Sequence, residues 1–214
     1  MITNGVDLNH FIPLEKDQKL THELGLKDRF VAGYIGTHGM AHGLETLLDA
    51  AQLIQDNADG ADIHFLFLGN GAKKSELIAY ARSRGLINVL FLDSIAKADV
   101  TRYWSLLDVS IIHLRKTELF ASVIPSKLFE CMGMGIPVLH GVAGESAQIV
   151  LAERVGEVFE SDNSIQLVEL LLNLKGDANR TDNYRKNGII AARRYDRKHL
   201  AKKMLSILDG LIAK

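Results

Sequence analysis

One short stretch of the sequence combines residue types that together could hold a nucleotide. Residues 124–139 read IPSKLFECMGMGIPVL. Pro125 predicts the start of a helix, because the φ of proline already suits the first turn, and the Ser126 hydroxyl can bond a free amide there. Gly133 and Gly135 predict its end, and the apolar residues after them predict a buried strand. The free N–H groups and positive dipole at the start of such a helix bind anions, phosphate above all.

Two charged residues on this helix would complete a nucleotide site. Lys127 lies beside the positive end of the helix, and Glu130 lies about one turn later on roughly the same face. A carboxylate at that place can accept two hydrogen bonds from a sugar diol. The alternative is an exposed Lys127–Glu130 ion pair with no ligand, a common arrangement on helix surfaces. The proline start, the glycine stop and the position at the end of a strand favour the binding site.

A glycine-rich loop follows the first predicted strand and opens the next helix. Its glycines, at positions 36, 39 and 43, are spaced differently from the dinucleotide-binding fingerprint. The loop amides could still cradle a diphosphate, although glycines needed only for a tight turn remain the alternative. His38 and His42 lie four residues apart, but no third ligand has useful spacing, so we predict no metal. The predicted contacts in this loop are Gly36, Thr37, His38 and Gly39.

Three further loops follow strands and are predicted to reach the same site. Gly69-Asn70-Gly71 is as compatible with a plain turn as with a ligand. Asp93-Ser94 could contact a base, although capping of the next helix is the favoured reading. Gly144-Glu145-Ser146 places a flexible backbone after the fifth strand, where Glu145 could cap a helix or touch a ligand hydroxyl.

Composition and charge narrow the class of protein. The 214 residues are 47% apolar, which is enough for a substantial core, and 25 basic against 26 acidic residues give a net charge of −1. Nothing therefore favours a nucleic-acid or anionic-membrane surface, and small ligands are expected. The single cysteine, Cys131, fits a reducing compartment and reads as a core thiol. Without a membrane-length apolar run or a signal peptide, we predict a soluble cytoplasmic protein.

The order of predicted elements indicates an α/β fold. Apolar strands that alternate with helices are typical of a parallel sheet covered on both faces, and ligands of such sheets bind beyond the carboxyl ends of the strands. We predict one doubly wound domain over residues 1–214, with about six strands. The predicted strands are 30–36, 63–68, 89–92, 109–112, 136–139 and 156–159; the predicted helices are 44–54, 73–84, 98–107, 126–132, one around 167–174, and 197–211.

Several motifs resemble the retaining glycosyltransferases of family 4, which have the two-domain glycosyltransferase B fold. The segment 125–138 is similar to the donor-binding signature of that family and is the most specific part of the likeness. Other segments resemble its usual wording, and the likeness covers nearly the whole chain. They are Asn4-Gly5-Val6-Asp7 through Pro13, Phe67 to Gly71 followed by Lys74 and Leu77, Asn88 to Leu92, and Tyr195-Asp196-Arg197. The closest branch makes bacterial surface polysaccharides.

The resemblance implies the donor-binding half of such an enzyme, without the N-terminal acceptor domain. Glu130 would hold the ribose of a nucleotide-diphosphate sugar, a UDP-sugar first among them. The amides of Ser126 and Lys127 and the loop from Gly36 to Gly39 would hold the diphosphate. Lys127 would offset charge on the departing nucleoside diphosphate, the main electrostatic task of the reaction. The acceptor would be a glycan or a lipid-linked molecule, the full-length enzyme could work at the inner face of the membrane, and no cofactor is expected.

Two departures from the family pattern concern the grip on the donor. Ser122 stands where the family often has a second glutamate, and Thr37 and His42 stand where it often has arginine and lysine. Arg115 or Lys116 could replace the missing charge. A nucleotide-sugar 2-epimerase shares the architecture and would release a free sugar isomer. A non-catalytic nucleotide-binding subunit, working with a separately encoded partner, is the other alternative.

Overall fold

The computed structural model describes residues 3–212 and contains one sheet of six parallel strands. The strand order across the sheet is β3-β2-β1-β4-β5-β6, so the chain moves outward to one edge and then returns to build the other half. This is the doubly wound arrangement that the sequence predicted. The strands are β1 (Phe30–Ile35), β2 (Ile63–Leu68), β3 (Val89–Leu92), β4 (Val109–His113), β5 (Val138–Gly141) and β6 (Gly156–Val158).

Helices cover both faces of the sheet and divide the core into two clusters. Adjacent residues of one strand belong to different clusters, as the period of two in a strand requires. Ile112 belongs to the cluster that contains Leu128 on one face, whereas its neighbour Ile111 belongs to the cluster that contains Leu47 on the other. The helices are α1 (Gln18–Glu23), α2 (Glu45–Gln55), α3 (Lys74–Ser83), α4 (Val100–Trp104), α5 (Glu118–Ala121), α6 (Ser126–Met134), α7 (Glu145–Glu153), α8 (Ser164–Gly176), α9 (Ala178–Ala192) and α10 (Arg197–Ile212).

The largest omission of the sequence prediction is α9. This helix is polar overall and contacts α6 through small residues, which give no apolar periodicity to detect. Gly188, Ala191 and Ala192 are its buried residues. The available signal was Asp177, whose side chain accepts a hydrogen bond from the Arg180 amide and caps the helix.

Smaller differences concern element boundaries. The predicted helix over 98–107 is only α4, because the chain after Trp104 turns through tighter bonds, such as that from the Leu107 amide to the Trp104 carbonyl. The predicted strand over 136–139 starts later, at Val138, since Pro137 has no amide to donate. Two short helices, α1 and α5, lie in segments that were read as irregular; Asp17 and Thr117 cap them.

Two further sequence predictions concern the single cysteine and the possibility of a membrane-spanning helix. Cys131 is fully buried as a free thiol in α6, and burial raises its pKa to about 12, so it is the core residue that was expected. Among residues 3–212, no helix combines the length and the apolar character that crossing a bilayer requires.

Candidate functional site

The carboxyl ends of all six strands open onto one edge of the sheet, because every strand pair is parallel. Two adjoining cavities lie there. One of about 370 Å³ lies between the loops after β1, β2 and β3; its polar lining residues are Thr37, Asn70 and Ser94. The other, of about 210 Å³, lies between β1, β4 and the start of α6; its lining includes Tyr34, His42, His113, Ser126 and Lys127.

Lys127 is a half-buried cation without a carboxylate partner among the described residues. Its ammonium lies 5.1 Å from the centre of the Tyr34 ring, over the π face. A Cβ on Gly36 would lie 2.3 Å from that ammonium, so the side chain fills space that only a glycine leaves free. Burial lowers the pKa of Lys127, against the opposing effect of Glu130. Within residues 3–212, the second cavity therefore holds an ammonium that makes no direct ion pair.

The start of α6 offers free donors to the same cavity. Pro125 occupies the capping position and supplies no side-chain hydrogen bond, and the predicted cap from the Ser126 hydroxyl is not formed. The amides of Ser126 and Lys127 have no partner among residues 3–212. Unsatisfied amides and an ammonium are the kinds of donor that an anion site requires, and binding of an anion here stays a prediction.

Glu130 is a half-buried carboxylate without a bonded partner in the described part of the chain. Burial raises its pKa, and the charges of Lys127 and Arg197 partly oppose that rise. No ion pair joins Glu130 to Lys127, and neither side chain is exposed. The alternative of a surface ion pair is therefore wrong, and Glu130 keeps both oxygens available to a donor such as a diol.

The first glycine loop is held by its own hydrogen bonds, which restricts the predicted contacts. The Gly36 amide donates to the Leu68 carbonyl, and the His38 amide donates to the Asn70 carbonyl. Of the four predicted residues, Thr37 and Gly39 are the two whose amides lack partners within residues 3–212. The Thr37 carbonyl also accepts a hydrogen bond from the Tyr34 hydroxyl, which fixes the loop further. Two of the four predicted residues therefore have free amides, and the loop that carries them is held in place.

The predicted contact of His38 with a ligand is not supported by its position. Its ring is fully buried, has no hydrogen-bond partner among the described residues, and packs edge-on against Phe67 and Phe91. Burial lowers its pKa to about 4, and the nearby charge of Lys74 adds to that effect. His38 is thus a neutral core residue that anchors the loop.

The second loop, Gly69-Asn70-Gly71, is tied to the third by a lysine that the site prediction omitted. The Lys74 ammonium donates to the carbonyls of Gly69 and Leu92 and to Asp93, each at 2.7 Å. The Asn70 amide group donates to the Ser94 hydroxyl at 3.2 Å. The capping role that we favoured for the 93–94 pair is wrong, because α4 begins at Val100, well beyond them. The sequence signal for Lys74 was its place just after the glycine pair.

The first turn of α7 contributes one exposed carboxylate and one buried hydroxyl. Ser146 is fully buried, and its hydroxyl bonds the His140 ring at 2.9 Å, so it is not placed to contact a ligand. Glu145 is exposed in the first turn of α7. The capping position is occupied by Gly144, so no side chain caps this helix. Gly144 has φ +83°, and a Cβ there would lie 1.9 Å from the Ala121 carbonyl oxygen.

Arg115, the suggested replacement for a missing positive charge, already has partners. Its guanidinium donates to the Met40 carbonyl and to Glu45, both at 2.9 Å. Lys116 pairs with Glu160. Both side chains are exposed, and each is paired with a carboxylate. Their contacts connect loops near the site, and neither leaves an unpaired charge for a ligand.

Two histidines that the site prediction omitted line the second cavity. His113 donates or accepts at both ring nitrogens: Nδ1 lies 2.7 Å from the His42 carbonyl, and Nε2 accepts the Asp162 amide at 2.9 Å. His42 packs edge-on against Tyr34, with 5.9 Å between ring centres. The sequence pointed to His42 in two ways: as one of a histidine pair considered for a metal, and, with Thr37, as a position where the family often has arginine or lysine. The described residues contain no group of three or more side chains suited to a metal ion.

Comparison with known proteins identifies the family of this chain. The family model described as "Glycosyl transferases group 1" matches residues 16–209. A relative in Bacillus subtilis (strain 168), the teichuronic acid biosynthesis glycosyltransferase TuaH, is 26% identical over 179 residues, which are 82% of this chain and 43% of TuaH.

Solved structures share the fold. HepE (Alr3699) of Anabaena, crystallised with UDP and glucose, superposes with a TM-score of 0.80 at 23% identity, over 97% of this chain and 56% of HepE. The C-terminal domain of LpcC, a glycosyl transferase group 1 family protein of Francisella tularensis, superposes with a TM-score of 0.74 at 21% identity, over 90% of this chain and all of that domain. The chain spans about half the length of TuaH and HepE, and its architecture is the Rossmann-like half of a glycosyltransferase B fold.

Proposed function

The chain belongs to the glycosyl transferases group 1 family, and from this premise we propose that it is the donor-binding domain of a retaining glycosyltransferase. Its donor is a nucleotide-diphosphate sugar, with UDP-sugars first. Its acceptor is a glycan or lipid-linked molecule, held by a further domain that this sequence does not contain. The proposal is supported by the coverage of the LpcC C-terminal domain and by the UDP and glucose bound to HepE.

The observation that carries the proposal is the unpaired Lys127 beside free amides. A half-buried ammonium without a counter-ion is costly unless an anion joins it. Ser126 and Lys127 line the same cavity at the start of α6, and the diphosphate of a nucleotide sugar would satisfy their two amides and the ammonium. When the bond to the sugar breaks, negative charge grows on that diphosphate, and the fixed ammonium stabilises it.

The remaining predicted residues take roles that their positions allow. Glu130 would accept the ribose hydroxyls. The base would enter the cavity between the loops at Asn70 and Ser94. The free amides of Thr37 and Gly39 would contact the diphosphate, and exposed Glu145 would approach the sugar.

A ligand panel tests the proposal. UDP, GDP, ADP and their sugars are added to the purified chain, and the free energy of unfolding and the calorimetric Kd are measured. A nucleotide at 100 times its Kd should stabilise the protein by about 2.7 kcal/mol. Glu130→Ala should weaken binding by about 1.5 to 3 kcal/mol, because one charged hydrogen-bonding group is lost.

The matched control is Glu169→Ala, on an exposed position of α8. It should bind nucleotide like the wild type. The proposal fails if no nucleoside diphosphate or nucleotide sugar binds, or if both glutamate variants bind with wild-type affinity.

A further inference from the structure

Three histidines lie near the Lys127 ammonium, two of them line its cavity, and they differ in what each can do. His38 is fully buried among aromatic rings and is shielded from the cavity. His113 lines the cavity, but both ring nitrogens already have backbone partners. Because the Asp162 amide donates to Nε2, the proton of neutral His113 lies on Nδ1. A second proton on His113 would break its bond to Asp162.

His42 is the third histidine, and it has no such constraint. It lines the cavity, is half-buried, and makes no side-chain hydrogen bond that the structure defines within residues 3–212. It also shares the Tyr34 ring with Lys127: His42 approaches the ring edge-on, and the ammonium lies over its face. One phenol ring thus lies between the Lys127 ammonium and the His42 imidazole at the same small cavity.

The charges around His42 keep it neutral while the cavity is empty of anions. Burial lowers its pKa, and Lys127 on α6 and His113 on β4 lower it further, whereas the Gly39 carbonyl on its own loop opposes them. Tyr34 on β1, with its pKa raised by burial, stays neutral and contributes no charge. Arg115 and Glu45, which are near the same loop, neutralise each other.

We propose that His42 takes up a proton when a nucleoside diphosphate enters this cavity, so that donor binding is coupled to protonation of the imidazole. The inference rests on the proposed function. A diphosphate placed beside Lys127 offsets the positive charge of the ammonium and adds negative charge, which favours the imidazolium over the neutral ring. The proton comes from solvent, and the protonated ring then serves as the second cation of the diphosphate site.

The coupling has a definite pH dependence. Far below the pKa of the free protein, His42 carries its proton before and after binding, and no proton is taken up. Far above the pKa of the complex, it is neutral in both states. Between these limits the complex holds more protons than the free protein, so affinity falls as the pH rises, by up to about tenfold per pH unit.

Titration calorimetry in two buffers of different ionisation enthalpy measures this uptake directly. UDP-glucose is the probe, because each of its phosphates has one ester and one anhydride bond and a single acidic oxygen that stays ionised, whereas the terminal phosphate of UDP titrates near neutral pH. The wild type should give different heats in the two buffers at neutral pH, corresponding to uptake of up to about one proton. His42→Gln should bind more weakly and show no uptake from this site.

His42→Lys separates this role from a merely structural one. A fixed charge should preserve or improve affinity at neutral pH while abolishing both the uptake and the pH dependence. His22→Gln, at an exposed position of α1, is the matched control and should keep the wild-type uptake. The inference is overturned if UDP-glucose binds with equal heats in both buffers, or if His42→Gln keeps the uptake. If UDP-glucose does not bind and another nucleotide sugar of the panel does, that sugar replaces it as the probe. Absence of binding by every nucleoside diphosphate and nucleotide sugar overturns the proposed function and this inference together.

Discussion

Two lysines at the same edge of the sheet have opposite surroundings. Lys74, at the end of β2 and β3, is buried and donates to two carbonyls and a carboxylate, so each of its hydrogens has an acceptor. Lys127, between β1 and β4, is half-buried; its ammonium lies over a ring face and makes no direct ion pair within the described residues. The hydrogen bonds of Lys74 are all made within the fold, whereas Lys127 makes no ion pair in the part of the chain that the structure describes. A polar group without partners in a folded domain marks the place where a ligand is expected.

Replacing each lysine by methionine tests the comparison on stability. Lys74→Met should lower the free energy of unfolding by about 3 kcal/mol, because the carbonyls of Gly69 and Leu92 lose a charged donor. Lys127→Met should change it by less than about 1 kcal/mol, or raise it, since a desolvated cation is removed. Urea denaturation of both variants measures the two values. Equal losses would mean that Lys127 is also structural.

Acid sensitivity sharpens the comparison at His38, whose backbone joins the loops of the two lysines. Its folded-state pKa of about 4 is below the ordinary 6.5, so the unfolded chain takes up the proton first as the pH falls. Stability that is present above pH 6.5 should therefore decrease toward pH 4, by about 2 to 3 kcal/mol.

His38→Leu isolates that contribution. It should flatten the pH dependence of the free energy of unfolding by the same amount, measured by urea denaturation at several pH values. The remaining slope would include His140, whose pKa burial lowers to about 3. Parallel pH profiles for the variant and the wild type would show that His38 does not titrate as inferred.

Binding reverses the ranking of the two lysines. Lys127→Met should weaken binding of UDP by about 2 kcal/mol, roughly 30-fold, because the diphosphate loses its only unpaired ammonium in the described cavity. Calorimetry on the folded variant gives the value. Wild-type affinity in this variant would break the link between the missing partner and the ligand.

Arg115 provides the smallest expected effect. It is a cation near the site with its partners in place, so Arg115→Ala should weaken UDP binding by less than about 1 kcal/mol. The same calorimetric titration measures it. A loss as large as that of Lys127→Met would show that a paired cation can change partners when the nucleotide binds.

The sequence was sufficient for the features that depend on local pattern. Apolar strands alternating with amphipathic helices predicted the parallel sheet, and the proline and glycines around α6 predicted its limits within two residues. The sequence was insufficient where tertiary packing decides whether a side chain faces the core or a ligand. The buried ring of His38 and the buried hydroxyl of Ser146 occupy loops that read as ligand-binding, and only the folded chain shows that both face the core.

Long-range contacts explain the other errors in the site. The 93–94 pair was read as a helix cap because capping is a local rule, yet its partners Lys74 and Asn70 are about 20 residues earlier in the chain. His42 was considered together with His38 as a metal-binding pair because the two lie four residues apart in the sequence. Its relevant neighbours, Tyr34 and Lys127, come from a strand and a helix that meet only in the fold.

The hydrogen bonds of the first glycine loop have a kinetic consequence. Contacts from Tyr34, Asn70, Lys73 and His113 fasten the backbone between residues 37 and 42 in the unliganded chain. An arriving anion therefore need not order this loop, and little conformational entropy is lost there on association. The association rate should then follow diffusion and attraction to the ammonium, and it should decrease as added salt screens that charge.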